Sequence, residues 1–168
     1  MHIALWGDQL LLLTRDELED GYVSEFFSYN PSTGMVSEEL TEKISKDGMT
    51  GRIIWCFCAA GDFLYTLEQS GSADAPRFFL VKRDTDYIQL AEYEIESKDL
   101  PARPGEMFCV DENHYGLRTF DADLRILEIN ANKGAEAIQL LEETGTTSDL
   151  QATIPTLYSK KSIYYRNA

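Results

Sequence analysis

Cys56-Phe57-Cys58-Ala59-Ala60-Gly61-Asp62-Phe63-Leu64-Tyr65 is the stretch from which the rest of the chain can be read. An apolar run enters a short polar turn, and a second apolar run comes back out, which is the pattern of a β-hairpin. The same pattern recurs in Ile3-Ala4-Leu5-Trp6-Gly7-Asp8-Gln9-Leu10-Leu11-Leu12, in Phe108-Cys109-Val110-Asp111-Glu112-Asn113-His114-Tyr115-Gly116-Leu117, and in Thr156-Leu157-Tyr158-Ser159-Lys160-Lys161-Ser162-Ile163-Tyr164-Tyr165. With Gly7, Ala60, Glu112 and Lys160 taken as equivalent points, the copies recur about every 50 residues. Apolar residues then coincide two before the anchor (Leu5, Cys58, Val110, Tyr158), three after it (Leu10, Phe63, Tyr115, Ile163) and five after it (Leu12, Tyr65, Leu117, Tyr165).

Outward from each of the first three hairpins lie two more elements. Apolar runs at 26–29, 78–81 and 124–129 each precede a polar turn, and fourth elements follow at 35–44, 87–95 and 135–143. Four short strands in a unit of this length resemble a β-propeller blade. The expected fold is therefore mainly β, propeller-like or a partial propeller. The chain is read as one domain, 1–168, with repeats at approximately 2–50, 51–104 and 105–150 and a partial fourth at 151–168. Neither a Trp-Asp or Gly-His signature, nor a kelch double glycine, nor an Asp-box is present.

The alternative is an α+β fold with helices near 36–46 and 134–144. Val36, Leu40 and Ile44 are spaced i, i+4, i+8 behind Ser37 as a candidate N-cap, and Ala137, Ile138 and Leu141 share a helical face ahead of Gly145.

A length of 168 residues is that of one domain with a real core, and 43% apolar with 26% charged residues is a globular composition. The charge is lopsided: 15 Lys and Arg against 29 Asp and Glu give −14. Such a surface repels phosphate backbones and anionic lipid and attracts basic partners. Nucleic acid and membrane are thus excluded as partners, and a basic protein surface is favoured. The three cysteines lack the spacing of a disulfide framework, Asp8 interrupts the apolar start, and no later run approaches the length of a membrane helix. A cytoplasmic protein is expected.

Cys56, Cys58, Cys109 and His114 could compose a Cys₃His metal set, but Cys56 and Cys58 share a face and occupy positions that are apolar in the other copies, while alternation points Cys109 to the opposite face, so they are read as core and no metal is assigned. The chain has two histidines, neither in a nucleophile motif, and its glycines form no phosphate-binding fingerprint. No catalytic residue and no cofactor is assigned. Paired carboxylates acting as in a glycoside hydrolase or lyase remain an alternative.

In a four-strand meander the connections after strands two and four emerge at the same end. The connections after strand two, read as 15–21, 68–76 and 121–123, contain Asp16, Glu17, Glu19, Asp20, Glu68, Asp74, Asp121 and Asp123. The repeat predicts that these acids converge on one rim and bind a partner there. The functional expectation is a non-enzymatic, acidic protein-binding module, a stoichiometric inhibitor of the immunity or antitoxin type that engages a basic surface. The alternative is a subunit or fragment of a larger propeller-like assembly, or a self-associating chain, acting through unpaired strands left by the unfinished fourth copy.

Overall fold

Cross-strand register shows how the alternating runs are used. A computed structural model describes residues 2–72, 74–95, 100, 104–110, 114–119, 124–129 and 138–144. They form three four-stranded antiparallel sheets, each with its strands in chain order. Sheet 1 holds β1 (His2–Trp6), β2 (Gln9–Glu17), β3 (Gly21–Asn30) and β4 (Met35–Ser45). Sheet 2 holds β5 (Ile53–Ala60), β6 (Phe63–Ser70), β7 (Arg77–Arg83) and β8 (Gln89–Ile95). Sheet 3 holds β9 (Pro104–Cys109), β10 (His114–Thr119), β11 (Leu124–Ile129) and β12 (Ile138–Thr144). The partial fourth repeat, 151–168, lies outside the described residues.

The α+β alternative is corrected: the described residues contain no helix, the segment 36–46 lies almost wholly in β4, and the described part of 134–144 is β12. A β-bulge explains the misleading spacing. Phe26 pairs with Leu40 but Phe27 pairs with Glu38, so Glu39 is an extra residue in β4. An extra residue reverses the facing of everything beyond it. Val36 is therefore exposed on one side while Ile44 is buried on the other. Strand β12 has the same irregularity, with Leu127 opposite Leu140 and Ile126 opposite Glu142, so that Leu141 is its extra residue.

Sheet 2 is the middle layer. Its first strand touches β1, β3 and β4 on one side and β9 on the other, and β8 approaches β12. Successive residues of a strand point to opposite faces, so β6 divides cleanly. Leu64 packs on Leu11, Leu13 and Phe26 of sheet 1 with Ile54 and Phe57. Tyr65 and Leu67 pack with Cys56, Cys58, Phe78 and Leu80 on Tyr115 and Leu117 of sheet 3. Aromatic contacts tie both layers: Phe26 meets Phe57 edge-to-face with centroids 4.6 Å apart, and Tyr65 lies tilted against Tyr115, also at 4.6 Å. Each fully buried Leu or Phe of this kind contributes about 1.5–3 kcal/mol. Trp6 adds a directional link, donating its Nε1–H to the Gly61 carbonyl at 2.9 Å.

The hairpin turns fix the true equivalence of the copies. Gly7 and Gly61 take the same place in their turns, with φ of 57° and 59°, so Gly7 corresponds to Gly61 and not to Ala60. One residue of shift exchanges the faces of every strand residue. Cys56 and Cys58 are nonetheless buried, at 0% and 5% exposure. Cys109, read from sequence as pointing away from them, packs into the same cluster, because opposite faces of neighbouring stacked sheets meet.

Candidate functional site

Three connections meet at the end of the sheets opposite the hairpin turns. Residues 18–20 join β2 to β3, held by the Leu18 N–H donating to the Gly21 carbonyl at 2.8 Å. Residues 46–52 carry the chain from sheet 1 to sheet 2, and the Lys46 N–H donates to the Asp20 carbonyl at 3.1 Å. Residues 71–76 join β6 to β7, and the Gly71 N–H donates to the Gly48 carbonyl at 3.1 Å. The last contact requires two glycines: Gly48 has φ of 72°, and a Cβ there would lie 2.0 Å from the Gly71 carbonyl oxygen. The three loops thus form one continuous surface.

The acids read from sequence fall on this surface unevenly. Asp16 and Glu17 are the last residues of β2, and both are exposed, as are Glu19 and Asp20 in the turn and Asp74 in the 71–76 loop. Glu68 is elsewhere. It lies within β6, only 1% exposed, and cannot meet a partner as a rim residue would. The connection after β6 begins at 71, three residues later than the sequence reading placed it, because β6 extends through Ser70. Asp121 and Asp123 lie outside the described residues.

The geometry adds residues that loop composition alone did not single out. Asp47 is exposed at this end, and its carboxylate accepts from the Ser45 hydroxyl and the Met49 N–H, which holds its pKa below the usual range. Tyr22, 40% exposed, stands between two open clefts. One, of about 310 Å³, is lined by Leu18, Asp20, Tyr22, Lys43 and Thr50 among others. The other, of about 290 Å³, is lined by Arg15, Asp16, Glu17, Tyr22, Ile53 and Trp55. The only sequence sign of Tyr22 is its place directly after Glu19-Asp20-Gly21.

The nearby cations are largely committed. Lys46 Nζ stands 3.8 Å from Glu17. Arg15 lies over the Trp55 ring at 4.7 Å, and burial lowers its pKa. Arg52 is drawn inward, donating to Glu92 at 2.7 and 3.2 Å and lying over Phe79 at 4.1 Å. The exposed surface is left with Asp16, Glu17, Glu19, Asp20, Asp47 and Asp74 against Lys43 and Lys46.

Beneath the rim, between sheets 1 and 2, is a second ionic group with a different role. Arg83 Nη2 donates to Glu68 at 2.8 Å and stands 3.7 Å from Glu42, while Nη1 donates to the Tyr87 carbonyl at 3.2 Å. Glu68 also accepts from Thr66 at 2.8 Å and faces Arg52 at 3.6 Å. Three carboxylates, Glu42, Glu68 and Glu92, thus share two guanidinium groups, Arg52 and Arg83. Burial first, and Glu68 second, raise the pKa of Glu42, and Arg83 and Arg52 oppose them. Glu68 and Arg83 are closed in by the two sheets, while Arg52, Glu42 and Glu92 stay partly exposed.

Among the described residues no group of three or more His, Cys, Asp or Glu side chains is placed to hold a metal ion. Burial pushes the thiols of Cys56 and Cys58 far up, to where they stay protonated. Among the described residues no helix is long and apolar enough to cross a membrane. No protein-family model matches this chain, and no curated protein matches it.

Proposed function

We propose that this protein is a non-catalytic, acidic binding module of the cytoplasm, a stoichiometric inhibitor of the immunity or antitoxin kind, whose rim engages a basic surface on another protein. The observation that carries the reading is the continuity of the rim. Hydrogen bonds from Lys46 to Asp20 and from Gly71 to Gly48 join three loops, so their exposed acids act as one field around Tyr22 and its two clefts. A field of one sign on a rigid surface steers an oppositely charged partner and excludes like-charged ones. An exposed tyrosine at its centre offers the amphipathic anchor that binding surfaces favour.

The architecture we infer is propeller-like. The most extensive contacts between sheets are those of β5 with β9 and then of β5 with β1, as expected of innermost strands of successive blades, and each sheet is a simple meander. This geometry would place all the connections after strands two and four on one rim.

The test is a binding measurement with a partner captured from native lysate at low salt. Raising ionic strength from about 0.05 M to about 0.5 M shortens the Debye length from roughly 14 Å to roughly 4 Å, and the affinity should fall steeply. Reversing Asp16, Glu17, Glu19 and Asp20 to lysine together should abolish capture. Unchanged affinity in that variant, with the fold intact by circular dichroism, would sink the rim reading.

A further inference from the structure

Sheet 1 has a second apolar face. Its inner face, with Leu11, Leu13 and Phe26, is buried on sheet 2. On the outer face, register aligns Leu5, Leu10, Tyr29 and Val36 in one row across all four strands, and Ile3, Leu12, Phe27 and Glu38 in the next. Of these eight positions all but Glu38 are large and apolar. Leu5 is 73% exposed, Val36 65%, Ile3 53% and Tyr29 38%. Single exposed apolar residues are ordinary, but two adjacent rows spanning a sheet mark an interaction surface.

The chain itself shows what covers a face of this kind. With Gly7 equivalent to Gly61, the outward residues Ile3, Leu5, Leu10 and Leu12 take the places of Phe57, Ala59, Leu64 and Thr66 in sheet 2. Phe57 and Leu64 are buried, and their cover is the apolar face of another four-stranded sheet, sheet 1. The outer face of sheet 1 is the same surface one repeat earlier.

We propose that this face is covered by the same face of a second copy of the protein, making a two-fold dimer. The five residues of β1 and nine on each of β2, β3 and β4, at about 4.8 Å spacing and about 3.3 Å rise, give a footprint on the order of 500 Å² per copy. Two copies together contribute about 1,000 Å², which is at the approximately 1,000 Å² that a specific interface requires. A two-fold contact sets one patch on itself, and this patch suits it: apolar rows meet apolar rows, and Glu38 lies on an edge strand. Thr14, Glu25, Thr41, Asp16 and Lys43 continue the outer face toward the acidic end as a polar margin. Each copy carries −14, so the dimer forms against long-range repulsion and tightens as salt screens it. Rim binding weakens with salt, so the two proposals stand or fall separately.

Sedimentation equilibrium of the full chain, at low and high sodium chloride, tests the dimer. The expected result is a species of twice the 19.1 kDa chain mass whose dissociation constant falls as salt rises. Leu5→Glu with Val36→Glu places charges on the two edge strands of the face, at sites exposed enough to leave the fold intact, and should weaken association at least about 100-fold. Met49→Glu, a change at a 77% exposed residue of the 46–52 loop, should leave association unchanged. A wild-type chain that stays monomeric to about 100 μM at both salts, above the dissociation constants of most specific interfaces, overturns the proposal. So does a dimer that persists in the double variant, or one lost equally in Met49→Glu.

Discussion

Replacing Arg83 with methionine removes the guanidinium that neutralises a nearly inaccessible carboxylate while keeping much of the side-chain volume. In the wild type Arg83 Nη2 and Glu68 Oε1 are 2.8 Å apart, with the side chains 6% and 1% exposed. At an effective dielectric of about 20 their gross attraction is about 6 kcal/mol. Much of this only offsets the cost of desolvating both charges. Loss of one partner leaves that cost uncompensated, and breaking a buried pair costs about 3–5 kcal/mol. Here Glu68 keeps the Thr66 hydroxyl at 2.8 Å and Arg52 at 3.6 Å, so the lower end, about 3 kcal/mol, is expected. For a chain of this size that lowers Tm by roughly 6–12 °C. Arg83→Met with Glu68→Leu removes the stranded charge together with its partner and should recover most of the loss. Urea unfolding followed by the fluorescence of Trp6 and Trp55 reads both. A loss below about 1 kcal/mol for the single variant, or a double variant no better than the single, would refute the account of the pair as buried and mutually dependent.

Glu42 gives a stability change of opposite sign. Its folded-state pKa is raised, so its contribution to stability is fully present below the usual 4.5 and is lost as pH rises through the folded value. Glu42→Gln should therefore raise Tm at pH 7, and the gain should vanish below about pH 4.5; a gain that persists in acid would contradict this. His2, half-buried, has its pKa lowered to about 4 from 6.5, first by burial and then by Arg15. The stability tied to its neutral form is present above 6.5 and lost as pH falls toward about 4, and an NMR titration should place its midpoint near the lower value. Gly48→Ala forces a Cβ to within 2.0 Å of the Gly71 carbonyl oxygen at a φ of 72°, so a loss of at least about 2 kcal/mol is expected by chemical denaturation. Cys56 and Cys58 should resist Ellman's reagent in the native protein and react once it is unfolded, since both thiols are buried and held protonated.

The division of this chain into units of four strands is legible because two signals coincide along it: alternation within strands and polar turns between them. The hairpin at 56–65 carries both. What sequence alone misassigns is facing. A bulge of one residue, as at Glu39, leaves composition unchanged while turning Val36 and Ile44 to opposite sides, and the resulting interval imitates a helix. An anchor misplaced by one residue, Ala60 for Gly61, has the same effect on every later comparison. The face of Cys109 was misread for a related reason: the stacking of sheets 2 and 3 decides which faces meet, and strand periodicity says nothing about stacking.

The rim shows the same limit in chemical terms. A run such as Asp16, Glu17, Glu19 and Asp20 identifies itself as exposed because four acids beside a tight turn cannot all be buried without partners. Glu68 is a single acid at a strand end, and nothing local distinguishes a solvated carboxylate from a paired one. Its partners are Arg83, fifteen residues away, and Arg52, sixteen residues away in the other direction, and only the sheet register and the loop path bring them together. The displacement of Glu68 from rim to interior changes what the rim can do. Loop acids held by backbone hydrogen bonds present a field on a fixed surface, and beneath them Arg83, paired with Glu68 inside sheet 2, links to sheet 1 through Glu42 at 3.7 Å. A partner bound across residues 18–20 and 46–52 would lie on loops from both ends of that tie. Its affinity should therefore fall in Arg83→Met even though Arg83 touches no partner, and a binding curve unchanged under conditions where the variant remains folded would separate the rim from the layer beneath it.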